Sequence, residues 1–187
     1  MNAPIVIGLT GYAGTGKDTV RAILEEQGFN GMAFADPIRT MLREMLTSNG
    51  ISDRYMDDRN FKEAVIPELG VSYRHMAQTL GTEWGRSLKS DFWLSLAGAY
   101  MADTTDTAET ESVNFVISDI RFYNEAEWVR ERGGVIWHIQ RSAATPVRAH
   151  VSESEIGHIA SDLTIYNNGT LAELQYAVEQ ALLKVLA

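Results

Sequence analysis

The stretch GYAGTGKDT at residues 11–19 decides the fold, because it matches the phosphate-binding pattern G-x-x-x-x-G-K. Residues 5–9 before it are apolar and mostly β-branched, which is typical of a buried strand. Residues 18–27 after it have helical periodicity and are followed by Gly28, which can end a helix. A strand, a glycine-rich turn and a helix in this order predict a loop whose backbone N–H groups wrap a phosphate.

The residues expected to bind the triphosphate are those of the loop and of the start of the helix: Gly11, Gly14, Thr15, Gly16, Lys17, Asp18 and Thr19. Lys17 would reach the β- and γ-phosphates. Asp18 stands where a serine or threonine hydroxyl usually ligates Mg²⁺. A carboxylate there could ligate the metal directly or through water, and Thr19 could supply a hydroxyl only if the start of the helix were shifted. The residues alone leave these alternatives open.

Strands and helices alternate along the rest of the chain. Strands are predicted at residues 32–35, 115–117, 135–139 and 163–166. Helices are predicted at residues 38–46, 73–80, 92–101, 124–132 and 171–186. Residues 102–112 are rich in Thr, Asp and Glu without apolar periodicity, and they predict a solvated loop. The alternation predicts an α/β fold, a parallel sheet of about five strands with helices on both faces.

Composition excludes several classes of protein. The 187 residues include 16 Lys and Arg against 25 Asp and Glu, for a net charge of −9, and no Cys. The missing cysteines exclude a disulfide scaffold and a thiolate metal site. The acidic balance argues against a protein that coats nucleic acid. No targeting segment and no apolar run long enough for a membrane span occurs, so we expect a soluble cytoplasmic protein.

Two other nucleotide-binding functions fit the motif less well. Asp36 follows the second predicted strand, where an acidic residue would hold a ribose in a dinucleotide-binding fold. The glycines, however, have G-x-x-G-x-G spacing, and Lys17 would have no role there. A GTP switch would need D-x-x-G and N-K-x-D, and neither occurs. A phosphotransferase or an ATPase remains.

Further candidate residues follow the predicted strands and line one helix. Asp119 and Arg121 come at the end of the strand at 115–117, where a carboxylate can orient hydrated Mg²⁺. Arg74 and Gln78 are spaced i, i+4 and share one helical face, which could offer a guanidinium to a phosphate and an amide to a base. Arg141 follows the strand at 135–139, and Arg148 lies in a segment that could close over the transferring group.

Aromatic side chains could stack on a base, although core packing is the commoner role of such residues. The candidates are Tyr73, Trp84 and Trp93.

In this order, the motifs resemble the bacteriophage-type deoxynucleoside monophosphate kinases, within the P-loop nucleoside monophosphate kinase group. The matching stretches are GTGKDT at 14–19, FADP at 34–37, LGTEWGR at 80–86, SDIRFYNEA at 118–126, GG at 133–134 and NNGT at 167–170, with Arg74, Gln78, Trp93, Arg141, His150, Ser152 and Glu153. The Lys-Asp-Thr ending of the loop is similar to that family's own variant. A similar Gly-Leu-Thr-Gly opening in dephospho-coenzyme A kinases makes that activity the alternative.

The resemblance implies transfer of the ATP γ-phosphoryl group to a deoxynucleoside 5′-monophosphate, giving the diphosphate and ADP. The implied charge carriers and metal ligands are Lys17, Arg121, Arg141, Mg²⁺, Asp18 and Asp119. The implied acceptor residues are Asp36, Arg74, Gln78, Trp84 and Trp93. No catalytic role is assigned to His150 or Glu153. Which bases the enzyme accepts, and how it rejects ribose, are left open.

The resemblance also implies an organisation for the chain. Residues 1–187 would form a single P-loop kinase domain, with a core at 1–36 and 113–187. An acceptor-binding insertion would occupy about 37–112 and a lid about 141–160. The partners would be ATP and a dNMP rather than a nucleic acid polymer or a membrane. The family suggests a homodimer, and a phage-encoded enzyme would work in the host cytoplasm.

Overall fold

The computed structural model describes residues 4–58, 60–108, 112–142 and 156–186. The chain divides into two compact units, which are residues 1–33 with 97–187 and residues 34–96. In chain order the elements are β1 (Val6–Thr10), α1 (Lys17–Glu26), β2 (Asn30–Met32), α2 (Asp36–Thr47), α3 (Arg54–Asp57), β3 (Val65–Ile66), β4 (Val71–Ser72), α4 (Tyr73–Gln78), a π-helix (Thr79–Gly85), α5 (Arg86–Leu88), α6 (Phe92–Thr107), β5 (Phe115–Ile120), α7 (Tyr123–Arg130), β6 (Val135–Gln140), a 3₁₀ turn (Ile156–His158), β7 (Leu163–Tyr166) and α8 (Leu171–Leu186). Within the described ranges, no helix is both long and apolar enough to cross a membrane.

The first unit is built on a five-stranded sheet in the order β2-β5-β1-β6-β7. Every neighbouring pair is parallel, with Ile7 of β1 opposite Val116 of β5 and Val135 of β6. The predicted α/β fold with a parallel sheet is therefore confirmed. Because all five strands run the same way, the segments that follow β1, β5, β6 and β7 leave the same edge of the sheet.

One face of this sheet is covered by α1 and α8. Alternate residues of β1 and β6, such as Leu9 and Ile139, meet Leu24 of α1 and Val178 of α8 in one buried cluster. Fully burying such a side chain stabilises the fold by about 1.5–3 kcal/mol. Helix α7 packs against β1 and β6 with buried residues outside this cluster, on the other face. Helices on both faces were predicted, and they hold the strand ends in place.

The second unit is mostly helical. Helix α2 buries Ile38, Leu42 and Leu46, one residue per turn, and contacts α4. A short antiparallel hairpin of β3 and β4 precedes α4. Helix α4 continues into the π-helix, a rare conformation that is frequent at functional sites. The indole Nε1 of Trp93 donates a hydrogen bond of 2.7 Å to the carbonyl oxygen of Gly81 and ties the π-helix to α6.

Several predicted elements differ from the structure, among them the helix predicted at 73–80, which is an α-helix only to Gln78 and continues as the π-helix to Gly85. The predicted loop at 102–112 was wrong up to residue 107, because α6 runs to Thr107. The Thr104, Thr105 and Thr107 hydroxyls there each donate a 2.8 Å bond to the carbonyl four residues earlier, which a pattern of apolar residues does not detect. The second strand is Asn30–Met32 rather than 32–35, and the strand predicted at 115–117 extends to Ile120.

Candidate functional site

The loop between β1 and α1 has a backbone that requires glycine. Gly11, Gly14 and Gly16 have φ angles of 139°, 79° and 102°, which L side chains rarely adopt. A Cβ atom on Gly11 would lie 2.3 Å from the carbonyl oxygen of Ile139, and one on Gly16 would lie 2.3 Å from Nδ2 of Asn167. The loop is thus packed tightly between the ends of β6 and β7.

Positive charge is concentrated at this loop. The Lys17 ammonium donates hydrogen bonds of 2.6 Å to the carbonyl oxygen of Gly11 and 2.8 Å to that of Tyr12. Helix α1 begins at Lys17, so its first N–H groups and the positive end of its dipole lie at the loop. Thr15 is buried and its hydroxyl donates to Tyr12, which closes the turn. This arrangement can bind the phosphates of a nucleotide.

The residues suggested for Mg²⁺ differ in exposure. Asp18 and Thr19 are exposed in the first turn of α1, whereas Asp119 is 8% exposed near the carboxyl end of β5. Among the described residues, no group of three or more His, Cys, Asp or Glu could by itself hold a metal ion. The two carboxylates of Asp18 and Asp119 fit Mg²⁺, which typically uses one or two carboxylates together with waters and substrate phosphates.

Arg121 is fixed by a buried carboxylate. Glu125, which is 4% exposed, accepts hydrogen bonds of 2.8 Å from the backbone N–H of Arg121 and 3.1 Å from that of Phe122. These contacts cap the first turn of α7 and set the path of the chain after β5. The half-buried Arg121 and the exposed Arg141 follow β5 and β6 directly. Both therefore leave the sheet edge from which the phosphate-binding loop also leaves.

A histidine lies beside the same loop. His138 is opposite Thr10 in the register of β6 and β1, and it is half-buried. Burial lowers the pKa of His138, and the positive charge of Lys17 lowers it further. The imidazole is therefore neutral at neutral pH and adds no charge to the cation of Lys17.

The second unit holds the predicted acceptor residues, and two of them form ion pairs. The Asp36 carboxylate accepts a 2.8 Å bond from the guanidinium of Arg39, one turn later on α2. The guanidinium of Arg74 pairs with the carboxylate of Glu63. Gln78 lies one turn after Arg74 on α4, as the i, i+4 spacing predicted, and the structure shows both residues half-buried.

The two candidate tryptophans occupy different environments. Trp84, in the π-helix, is 43% exposed, whereas Trp93, on α6, is 5% exposed and hydrogen-bonded to Gly81. Their rings are 6.3 Å apart, and Phe92 packs edge-on against both. Trp84 therefore has the accessible face, and Trp93 supports it from the interior of the unit. Tyr73 is also buried, and burial raises the pKa of its hydroxyl.

Three residues beside these groups were not predicted to act in the site: Arg39, Glu125 and Asn167. Arg39 has a signal in the sequence, since it follows Asp36 by three residues on a helix. Glu125 has one as well, the third position of a helix, where a carboxylate caps backbone N–H groups. Asn167 lies in the NNGT stretch that resembles the family, but no local pattern predicts its contact with Thr15, 152 residues earlier in the chain. Most of the predicted lid at about 141–160, with Arg148, His150 and Glu153, lies outside the described residues.

Comparisons with known proteins agree with these features. A family model for deoxynucleotide monophosphate kinase matches residues 51–178, more than half of the 187 residues. An Acanthamoeba polyphaga mimivirus protein, provisionally named a deoxynucleotide monophosphate kinase, is 29% identical over 181 residues, covering 90% of this chain and 91% of that protein. The deoxynucleotide monophosphate kinase of Escherichia phage RB69 is 29% identical over 112 residues, covering 59% of this chain and 45% of that protein.

Solved structures share the fold. TT1252 from Thermus thermophilus has a TM-score of 0.52 at 19% identity, with 98% of each chain covered. Dephospho-CoA kinase from Campylobacter jejuni has a TM-score of 0.50 at 14% identity, with 96% of each chain covered. At such identities the likeness concerns the fold alone, and it confirms the predicted P-loop kinase architecture. With the match to the family model, the chain belongs to the deoxynucleotide monophosphate kinase family and is an ATP-dependent kinase.

Proposed function

We propose that this enzyme transfers the γ-phosphoryl group of ATP to a deoxynucleoside 5′-monophosphate, giving ADP and the deoxynucleoside diphosphate. The observation that carries the proposal is the glycine-rich loop of residues 11–16, whose Gly11 and Tyr12 carbonyl oxygens hold the Lys17 ammonium, in a member of this kinase family. Such a loop binds the phosphates of the donor through backbone N–H groups and the helix dipole.

The acceptor phosphate needs no general base. The second pKa of a phosphate monoester is about 6, so its oxygen is already largely deprotonated at neutral pH. Catalysis then depends on holding two anions in line and stabilising the charge that develops between them. Lys17 would contact the β- and γ-phosphates, and Arg121 and Arg141 would supply guanidinium groups. Glu125 would keep Arg121 in place through its backbone N–H.

Mg²⁺ would be held through Asp119 and Asp18, directly or through water. The bound ion would neutralise charge on the β- and γ-phosphates. Asp119 suits this role because a largely buried carboxylate near a strand end is held in a fixed position. Asp18 is exposed in the first turn of α1, so its carboxylate can reach the ion either directly or through a water molecule.

The second unit would bind the acceptor. Arg74 is half-buried, and its present partner Glu63 is an exposed carboxylate. Because Glu63 is exposed and its carboxylate can return to water, an acceptor phosphate with two negative charges could replace it at Arg74. Gln78 would then meet the base edge, Trp84 would stack on the base, and Asp36 with Arg39 would complete the binding residues. Trp93 would act as the support for Trp84.

The cellular setting and the partners are part of this proposal. Viral relatives are consistent with an enzyme made in an infected host cell and working in its cytoplasm. A net charge of −9 favours single nucleotides over nucleic acid polymers as ligands. A homodimer and a lid at about 141–160 remain predictions from the resemblance.

The direct test is ADP release with MgATP and, in turn, each dNMP, each NMP and dephospho-coenzyme A. Release that depends on one or more dNMPs is expected. Turnover with dephospho-coenzyme A and with no dNMP would overturn the proposal in favour of the alternative kinase.

The acceptor residues are tested by Arg74→Ala, with Arg43→Ala as the matched control. Both arginines form ion pairs in the second unit, the half-buried Arg74 with Glu63 and the exposed Arg43 with Asp57. Loss of a charged hydrogen bond to the acceptor should raise the KM for dNMP about 10- to 100-fold in Arg74→Ala, with little change for ATP. An unchanged KM for dNMP in Arg74→Ala, or an equal change in Arg43→Ala, would show that Arg74 does not bind the acceptor.

A further inference from the structure

The turn after β7 touches the phosphate-binding loop through one side chain. The amide Nδ2 of Asn167 donates a 2.9 Å hydrogen bond to the carbonyl oxygen of Thr15. The backbone N–H of Asn167 donates a 2.7 Å bond to the carbonyl oxygen of Gln140, at the end of β6. Asn167 is therefore anchored to the sheet at its backbone and to the loop at its side chain.

This contact fixes the direction of one peptide group. The carbonyl and the N–H of a trans peptide point in opposite directions. Because Asn167 holds the carbonyl of Thr15 on its own side, the N–H of Gly16 points away from Asn167. The loop can adopt this orientation only because residue 16 is glycine, with a φ of 102° and a Cα that lies against the Asn167 amide.

We propose that Asn167 is a positioning residue for phosphate binding, which holds the Thr15–Gly16 peptide so that the Gly16 N–H faces the phosphates of the donor nucleotide. It acts through the loop and does not itself touch the nucleotide. This inference rests on the proposed use of the loop for the donor phosphates, and not on the identity of the acceptor. The part of Asn167 that matters is its N–H donor, since the acceptor atom is a carbonyl oxygen.

A matched pair of asparagines permits a precise test. Asn167→Asp keeps the shape of the side chain but removes the donor and puts a carboxylate oxygen against the Thr15 carbonyl. The neighbouring Asn168 uses its Oδ1 to accept a 2.8 Å bond from the backbone N–H of Ser142. Asn168→Asp keeps that acceptor and adds the same charge one residue away. Asn167→Ala removes the donor without adding charge.

The measurement is calorimetric binding of MgATP and of inorganic tripolyphosphate, which has neither base nor sugar, together with steady-state kinetics. In Asn167→Ala both ligands should bind about three- to tenfold more weakly, by the same factor, as expected for one lost hydrogen bond. The KM for ATP should rise while the KM for dNMP is unchanged, which a general loss of folded protein would not produce. Asn167→Asp should weaken binding at least as much, and Asn168→Asp by less than about twofold.

Several results would overturn the inference. Unchanged tripolyphosphate affinity in Asn167→Ala with weakened ATP would mean that Asn167 contacts the nucleotide itself. Equal losses in Asn167→Asp and Asn168→Asp would mean that charge alone matters. If Asn167→Ala does not fold, the isosteric Asn167→Asp decides by the same criteria. A wild-type protein that binds both ligands but phosphorylates no dNMP would refute only the proposed acceptor, whereas one that binds neither would refute both proposals.

Discussion

Replacing Gly11 by alanine tests whether the loop geometry is as tight as the structure indicates. Gly11 has a φ of 139°, and the added Cβ would lie 2.3 Å from the Ile139 carbonyl oxygen, where ordinary contacts begin at 3.4 Å. Gly28 is the matched control, because its φ of 88° is also positive but a Cβ there would meet nothing within 4 Å. Both substitutions carry the conformational cost of a positive φ, which is at least as large at 139° as at 88°, and only Gly11→Ala adds the clash.

The magnitudes follow from these two terms. A left-handed backbone costs an L side chain about 1–2 kcal/mol, which Gly28→Ala bears and which is the least that Gly11→Ala bears. Relieving the clash at Gly11 needs a movement of about 1 Å in the backbone of β6 or of the loop, and such overpacking costs about 1–3 kcal/mol more. Gly11→Ala should therefore lower the free energy of unfolding by about 1–3 kcal/mol more than Gly28→Ala does.

Urea unfolding measures this difference, and kinetics measure its consequence. The Gly11 carbonyl accepts a bond from the Lys17 ammonium, so a displacement there should lower kcat/KM for ATP about 10- to 100-fold. Gly28→Ala should leave kcat/KM nearly unchanged. Equal losses of stability in the two variants, or full activity of Gly11→Ala, would refute the reasoning.

Two further predictions concern carboxylates. Glu125→Gln should lower the free energy of unfolding by about 1–2 kcal/mol and reduce kcat, because a neutral amide oxygen caps the first turn of α7 less well than a carboxylate. The control is Glu127→Gln on the exposed face of the same helix, which should change the free energy of unfolding by less than about 0.5 kcal/mol. Denaturation and initial rates of both variants test this, and similar losses in the two would count against it. Hydrogen bonds from the Thr170 backbone and hydroxyl lower the pKa of Glu173, so this carboxylate stabilises the fold at neutral pH and the contribution is lost as pH falls through the folded-state pKa. An NMR titration should show a higher Glu173 pKa in Thr170→Ala, and identical midpoints would contradict the assignment.

The parallel sheet could be predicted from the sequence, because four of its five strands, all but β2, are short and mostly apolar runs and the helices between them have a clear period. The last strand and the last helix, predicted at residues 163–166 and 171–186, match the structure residue for residue. The phosphate-binding loop could also be predicted, since the two glycines that the pattern fixes, Gly11 and Gly16, have positive φ angles that other residues rarely adopt.

Other features depend on contacts that no local pattern reports. The last turns of α6 are polar and lack the apolar stripe by which a helix is predicted. Their threonine hydroxyls donate hydrogen bonds to backbone carbonyls of the preceding turn. The π-helix follows from packing, because the Gly81 carbonyl bonds to Trp93 and a Cβ on Gly85 would overlap the same indole. Trp84 is accessible and Trp93 is buried, and the positions of the two residues in the sequence do not predict this difference in exposure.

The measurement that tests the central claim most directly follows the label of γ-labelled ATP in the wild-type protein and in Lys17→Ala. With MgATP and a dNMP that supports turnover, the wild type should move the label into the deoxynucleoside diphosphate in equal amount to the ADP formed. Lys17→Ala should remain folded by circular dichroism and transfer almost no label, because the cation at the β- and γ-phosphates is lost. Label that appears as inorganic phosphate, or near-normal transfer by Lys17→Ala, would contradict the account.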